Sequence, residues 1–106
     1  MAILTAPRIR HTVSFTLHHT SGSPEEASFL DAAESLSAIA GVESFEIVRE
    51  VSAKNGFAFG ISMEFANQTA YTGYNEHPEH VRFVEERWLP EVADFLEVDY
   101  AALSPG

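Results

Sequence analysis

Alternating hydrophobic and polar residues with a period of two predict three strands in the first two thirds of the chain. Residues 9–17 carry apolar side chains and His11 at every second position, with arginine, serine and threonine between them. The same period recurs over 42–51 and 57–65. Period two in segments rich in β-branched and aromatic residues is typical of half-buried strands. The Asn55-Gly56 step between the second and third runs predicts that they form an antiparallel hairpin.

Helical spacing separates these strands. Residues 23–26, Ser-Pro-Glu-Glu, have the pattern of a capping box, and apolar residues then recur at three and four positions to about Ala40. Gly41 is expected in the left-handed conformation just past the end of this helix. Segment 67–89 predicts a second helix that breaks at His77-Pro78, because the residue before proline avoids the helical region. The helix would restart at Pro78 and end at Leu89-Pro90.

With a final strand predicted over 95–101, the order is strand, helix, strand, strand, helix, strand. This is the split βαβ pattern of a ferredoxin-like sandwich. The predicted fold class is therefore α+β, with a βαββαβ order and one antiparallel four-stranded sheet that has helices on a single side. Residues 8–101 are expected to form the domain, with 1–7 as a flexible N-terminal segment and 102–106 as a frayed tail.

The predicted sheet face away from the helices carries small and weakly polar side chains. They are Thr12, Ser14, Thr16, Ala58, Gly60 and Ser62. Such a surface suits close packing against a second sheet better than full solvation. We therefore expect a homodimer in which the two sheets pack against each other.

Composition narrows the classes of partner. The 106 residues are 45% hydrophobic, which is ordinary for one globular domain, and a net charge of −10 opposes binding to nucleic acid or anionic membranes. The chain has no cysteine, which excludes disulfides and cysteine-ligated zinc. Its apolar runs are shorter than the roughly 18 residues of a membrane helix, and Arg8 follows the apolar start instead of preceding it. We therefore expect a cytoplasmic protein.

The candidate chemistry lies around the break in the second helix. Tyr74, His77 and His80 fall within seven residues, and His80 faces inward because it lies four residues before Val84. A histidine near a helix N-terminus is disfavoured in its charged form, so a neutral His80 could accept a proton. The Tyr74 hydroxyl could then donate to a developing oxyanion. His11 lies on the apolar face of the first strand and is expected to face the same interior.

Structural roles are the alternative for each of these residues. His80 could simply bond the backbone and fix the chain at the helix junction. We interpret His77 as a helix cap in preference to a ligand. We interpret His11 as a core histidine in preference to a catalytic one. Tyr71 is interpreted as a packing residue alone. Two imidazoles without an inward third ligand make a poor zinc site, so we expect no metal and no cofactor.

Several short motifs occur together along residues 8–101. They are Arg10-His11-Thr-Val-Ser-Phe, Gly41-Val42, Glu64-Phe65, Tyr74 followed by His77-Pro78-Glu79-His80-Val81, and Asp99-Tyr100. In this combination the chain resembles the stress-responsive dimeric α/β-barrel (Dabb) family, with the His-Pro-x-His core as its most specific element. The resemblance implies a ferredoxin-like monomer whose sheet packs on a partner's sheet to close a barrel with the helices outside.

Members of that family include stress-induced plant proteins and a polyketide cyclase that forms olivetolic acid by intramolecular aldol condensation. Similarity to this cyclase implies catalytic roles for Tyr74 and His80 and a supporting role for His11. A second strand histidine of the cyclase falls on Phe59, which removes one polar group from the expected cavity and argues against the same substrate.

Two classes of function remain open. In the first, a pocket between sheet and helices binds a small apolar or aromatic molecule for acid–base chemistry such as cyclisation or lyase-type proton transfer. Its expected binding residues are Val13, Phe59, Ile61, His77, Val84 and Trp88. In the second, the protein is a non-catalytic, stress-related dimer, and fold analogy adds a cofactor-free monooxygenase as a third possibility. A cavity of several hundred cubic ångströms would favour the first class, and a filled interior with His80 held by backbone the second.

Overall fold

Four antiparallel strands form one sheet in the computed structural model, which describes residues 3–104. The strands are β1 (Ile9–Leu17), β2 (Glu43–Arg49), β3 (Phe59–Phe65) and β4 (Val92–Ala101), in the order β2-β3-β1-β4. The outermost parts of the predicted flexible N-terminal segment and of the predicted tail, residues 1–2 and 105–106, lie outside the described residues.

The helices lie in the two connections along the chain, between β1 and β2 and between β3 and β4. They are α1 (Pro24–Glu34) followed by a 3₁₀ turn (Ser35–Ala38), then α2 (Gln68–Glu76), α3 (Pro78–Phe83), a π-helical turn (Val84–Trp88) and the short α4 (Leu89–Glu91). The Ser23 hydroxyl accepts from the Glu26 amide and caps α1, and the Asn67 side chain caps α2 in the same way. The βαββαβ order confirms the predicted ferredoxin-like fold.

One face of the sheet packs against the helices and forms the core. Along β1 the residues of the predicted inward face, from His11 to Phe15, are buried at every second position. Aromatic rings dominate this layer, with Phe15 within 6 Å, centroid to centroid, of Phe29 on α1, of Phe59 on β3 and of Trp88 on the π turn. Burial of these rings holds the helices on the sheet.

The opposite sheet face is uncovered within residues 3–104. The six small residues expected there are all only partly buried. Cross-strand register adds larger side chains to the same face, because Leu96 pairs with Ser14, Tyr100 with Arg10 and Val48 with Gly60. Their exposed fractions are large: Val48 48%, Leu96 55% and Tyr100 51%.

Three predicted boundaries differ from the structure. The α1 helix gives way to a 3₁₀ turn after Glu34, where Ser35 bonds the carbonyl of Ala32, although Gly41 has the expected positive φ of 94°. Strands β2 and β3 pair antiparallel as predicted, but a longer loop than expected joins them over 50–58, where Asn55 bonds the Glu50 carboxylate. Helical structure also continues past Leu89-Pro90.

Pro90 is tolerated because it lies in the last turn of a helical stretch that runs without a break from Pro78 to Glu91, so its missing N–H affects only the end of that stretch. Strand β4 consequently starts at Val92, directly after Glu91. No helix among the described residues is long and apolar enough to span a membrane.

Candidate functional site

A cavity of about 240 Å³ lies between the helix-facing side of the sheet and the helical segments that follow β3. Most of its wall is apolar, formed by Val13, Leu36, Ile61, Met63, Phe83, Val84, Trp88, Leu89 and Phe95. The polar residues of the wall are His11, Tyr74, Asn75, His80 and Glu97. A cavity of about 150 Å³ lined by apolar side chains can hold benzene, so this one has room for a substituted ring.

The junction between α2 and α3 brings Tyr74 and His80 together. Helix α2 ends at Glu76, and His77 takes an extended conformation (φ −64°, ψ 134°) that turns the chain before Pro78. The imidazole of His77 accepts from the Glu79 amide at 3.1 Å and so caps α3. This turn brings the ring of His80 to 4.4 Å from the ring of Tyr74, centroid to centroid.

The hydrogen bonding of His80 defines which ring nitrogen can accept a proton. Its Nδ1 lies 3.1 Å from the carbonyl oxygen of Asn75, and because a carbonyl can only accept, Nδ1 carries the hydrogen. In the neutral ring Nε2 is then the basic nitrogen. Burial lowers the pKa of His80, and positive charge on His11 would lower it further, which favours that neutral form. Burial is the largest cause of this lowered pKa.

Tyr74 is the phenol of this site. Only 2% of the residue is exposed, and its ring packs against Phe65 and His80. Burial raises the pKa of the Tyr74 hydroxyl, and the negative charge of Glu97 raises it further. The hydroxyl therefore stays protonated and available as a hydrogen-bond donor at neutral pH.

A hydrogen-bonded group of His11, Tyr71 and Asp99 forms the back of the cavity. Nδ1 of His11 donates to Oδ1 of Asp99 at 2.6 Å, and the Tyr71 hydroxyl donates to Oδ2 of the same carboxylate at 2.8 Å. The Tyr71 hydroxyl also lies 2.9 Å from Nδ1 of His11. With Nδ1 committed to the Asp99 carboxylate, Nε2 is the ring nitrogen of His11 that is left for another partner.

The interpretation of Tyr71 as packing alone is therefore wrong. Its ring does stack on Phe65 with centroids 4.9 Å apart, but its hydroxyl also bonds Asp99. Asp99 lies in the predicted last strand, but only the register between β1 and β4 places it in this group. Antiparallel pairing of the first and last strands places Asp99 directly opposite His11, and Glu97 directly opposite Val13. The helical turn that brings in Asn75 gave no comparable signal.

Most of the predicted site residues come together at the cavity, and two do not. His11, Tyr74 and His80 line it with Val13, Ile61, Val84 and Trp88. Phe59 lies instead in the aromatic core, in contact with Phe15 and under the guanidinium of Arg49. His77 caps α3 and borders a separate surface groove. Among residues 3–104 no three histidine or acidic side chains are arranged to hold a metal ion.

The fold and this cavity define a class of protein: a small ferredoxin-like α+β domain with an interior site between its sheet and helices. The chain belongs to the stress-responsive A/B barrel domain (Dabb) family, whose model matches residues 9–102. The predicted membership is thereby confirmed. Comparison with curated proteins gave no significant match.

Solved structures agree with this assignment. A Dabb family protein with a ferredoxin-like fold from Mesorhizobium loti is 59% identical, with a TM-score of 0.89 over 92% of this chain and 98% of its own. A dimeric ferredoxin-like protein from Thermobifida fusca is 21% identical (TM-score 0.74, 89% and 90% covered). A hydroxynitrile lyase from Passiflora edulis is 14% identical (TM-score 0.77, 88% and 91% covered). The last two show likeness of fold alone.

Proposed function

We propose that the cavity binds a small apolar or aromatic molecule and that Tyr74 and His80, supported by His11, transfer protons on it. The observation that carries this proposal is that a protonated phenol and two imidazole rings line one cavity of about 240 Å³ with mainly apolar walls. Burial keeps both Tyr74 and His80 in the protonation states that such a transfer needs.

The chemistry that suits this group is removal of a proton from a carbon next to a carbonyl. Nε2 of His80 accepts the proton, the C–H electron pair forms the carbon–carbon double bond, and the carbonyl pair moves to oxygen. The Tyr74 hydroxyl donates to that enolate oxygen, where the charge develops. Return of the proton to the same carbon, or attack of the enolate on a second carbonyl, completes an exchange or an aldol reaction.

A non-catalytic role is the competing proposal, and one contact favours it. Nδ1 of His80 is bonded to the backbone at Asn75, as expected of a histidine that fixes the helix junction. The cavity that His80 lines favours catalysis more strongly, because a purely structural histidine gains nothing from a neighbouring cavity. The structural bond uses Nδ1 and the proposed proton transfer uses Nε2, so the same ring can serve both roles.

The protein is also proposed to act as a homodimer joined through its open sheet face. The support is the uncovered face itself, where Val48, Leu96 and Tyr100 are about half exposed around small residues. Several proteins of similar fold are described as dimeric, among them those from Bacteroides fragilis and Thermobifida fusca.

Deuterium exchange tests the proposed proton transfer without knowledge of the natural substrate. The protein is incubated in D₂O with acetophenone, and NMR follows loss of the methyl protons next to the carbonyl. We expect exchange well above the buffer rate, reduced about a hundredfold by His80→Ala or by Tyr74→Phe. His18→Ala, which removes an exposed loop histidine, is the matched control and should exchange like the parent protein.

The outcomes separate the two roles. Exchange at the buffer rate in the parent protein, or equal exchange in the parent and in both site variants, would overturn the catalytic proposal. Mass spectrometry of small molecules that co-purify with the parent and with His80→Ala then tests binding. A species bound to the parent and lost from the variant would support a binding site at His80 even without catalysis.

A further inference from the structure

Among residues 3–104, the cavity wall carries one carboxylate and no permanent positive charge. Of the residues that line it within the described part of the chain, Glu97 carries a carboxylate, and none is lysine or arginine. Asp99 lies immediately behind the wall, bonded to His11. The molecule as a whole has a formal net charge of −10, so the long-range field does not compensate for this local negative charge.

Glu97 lies close to the groups that are proposed to react. It pairs with Val13 across the β1–β4 ladder and therefore projects from the same sheet face as His11. Its Oε2 lies 3.9 Å from Nε2 of His11. Its negative charge also raises the pKa of Tyr74, which lines the same cavity.

We propose that Glu97 makes the cavity selective for uncharged carbonyl compounds and excludes carboxylates of the same shape. This inference rests on the proposed binding function and names the class of ligand. An anion in the cavity would face the Glu97 carboxylate with no lysine or arginine among the described lining residues to compensate it, and would lose its hydration. A neutral ketone or amide meets the same wall without that repulsion.

The selectivity also constrains the reaction. A substrate that arrives as a free carboxylate or as a phosphate ester would be rejected at the site. The cavity therefore suits a neutral ketone or aldehyde. A reaction that precedes this one must accordingly deliver an uncharged carbonyl compound, free of any anionic carrier group.

A two-by-two comparison of ligands and proteins tests the inference. Benzamide and benzoate have nearly the same shape and differ in charge, as do glutamine and glutamate at position 97. Dissociation constants are measured by ligand-observed NMR at pH 7.5 and low salt. We expect the parent protein to bind benzamide about tenfold more tightly than benzoate. Glu97→Gln should bring the ratio to within about twofold by strengthening benzoate binding alone.

Two controls isolate the charge. Glu85→Gln removes a carboxylate that is exposed on the π turn and does not line the cavity, so it should leave the tenfold ratio unchanged. Raising the ionic strength should shrink the ratio in the parent protein, because the Glu97 side chain is 56% exposed and its field is screened.

Three results would overturn the proposal. Equal affinity of the parent protein for the two ligands would do so, as would a ratio that Glu97→Gln leaves unchanged. In either case binding of benzamide would still support the proposed function. Failure of both ligands to bind would overturn the selectivity together with the proposed binding function.

Discussion

At the scale of single residues, the environment decides what each histidine can do. His18 lies exposed in the loop after β1, and His19 bonds Glu91 at 2.7 Å. His80 has the same side chain but stands beside a cavity, with Nδ1 held by a carbonyl and Tyr74 against its ring. A neutral ring with one defined basic nitrogen follows from burial and one hydrogen bond.

The pH dependence of His80 follows from its lowered pKa. Proton transfer needs the neutral ring, so acetophenone exchange should fall only when the pH drops below the usual histidine range, with an apparent pKa under 6.5. NMR titration of the His80 ring should give the same midpoint. A midpoint at or above 6.5 would contradict the assignment of His80 as a buried base.

The same shift predicts a slope in stability. The unfolded chain binds the His80 proton more tightly than the folded one. The contribution of neutral His80 to the free energy of unfolding is therefore fully present above pH 6.5. It is lost as the pH falls from 6.5 through the lower folded-state pKa. Urea unfolding at several pH values should show this loss, and the control variant His80→Gln should show a flatter dependence over the same range.

The sequence alone predicted part of this site. Tyr74, His80 and His11 could be found because helix and strand periodicity fixes the side on which each residue projects. The role of Tyr71 could not, since its hydroxyl bond to Asp99 depends on how closely α2 packs over the edge strand β4. Periodicity gives the face of a residue but not the reach of its hydroxyl group across a tertiary contact.

At the scale of elements, the break between α2 and α3 is the feature that builds the site. Pro78 removes a backbone donor, and the His77 imidazole supplies an acceptor for the Glu79 amide at the new helix start. The sequence predicted this break and the cap. It did not predict the π turn over Val84–Trp88, because the insertion of one residue into a helical turn depends on how Trp88 packs in the core.

Removal of the His77 cap should destabilise the protein and disturb the site. We expect His77→Ala to lower the free energy of unfolding by about 1 kcal/mol and His77→Asp to retain most of it, because aspartate is a strong N-cap. Urea denaturation measures both. Arg82→Ala, on the exposed side of the same helix, is the comparison and should cost less, since its partner Glu79 is also exposed. Equal losses in His77→Ala and His77→Asp would show that the cap contributes nothing.

At the scale of the whole molecule, the two faces of the sheet have different surroundings. One holds the aromatic core and the cavity, and the other exposes Val48, Leu96 and Tyr100 around small residues. A face of this kind rarely stays solvated in a monomer. The small side chains of this face were predictable from alternation. The contributions of Leu96 and Tyr100 were not, because they require the exact pairing of β1 with β4.

A single charge on that face should separate the proposed dimer. Light scattering should give twice the 11.7 kDa chain mass for the parent protein, and the chain mass for Ser14→Glu. The new carboxylate stands opposite Gly60 on β3, which has no side chain to clash with it inside one protomer, so the monomer should fold. Between two packed sheets it would be buried without a partner.

Ser37→Glu, exposed on the helical side, should remain dimeric, and circular dichroism should be the same for all three proteins. A parent protein that scatters as a single chain at micromolar concentration would contradict the dimer.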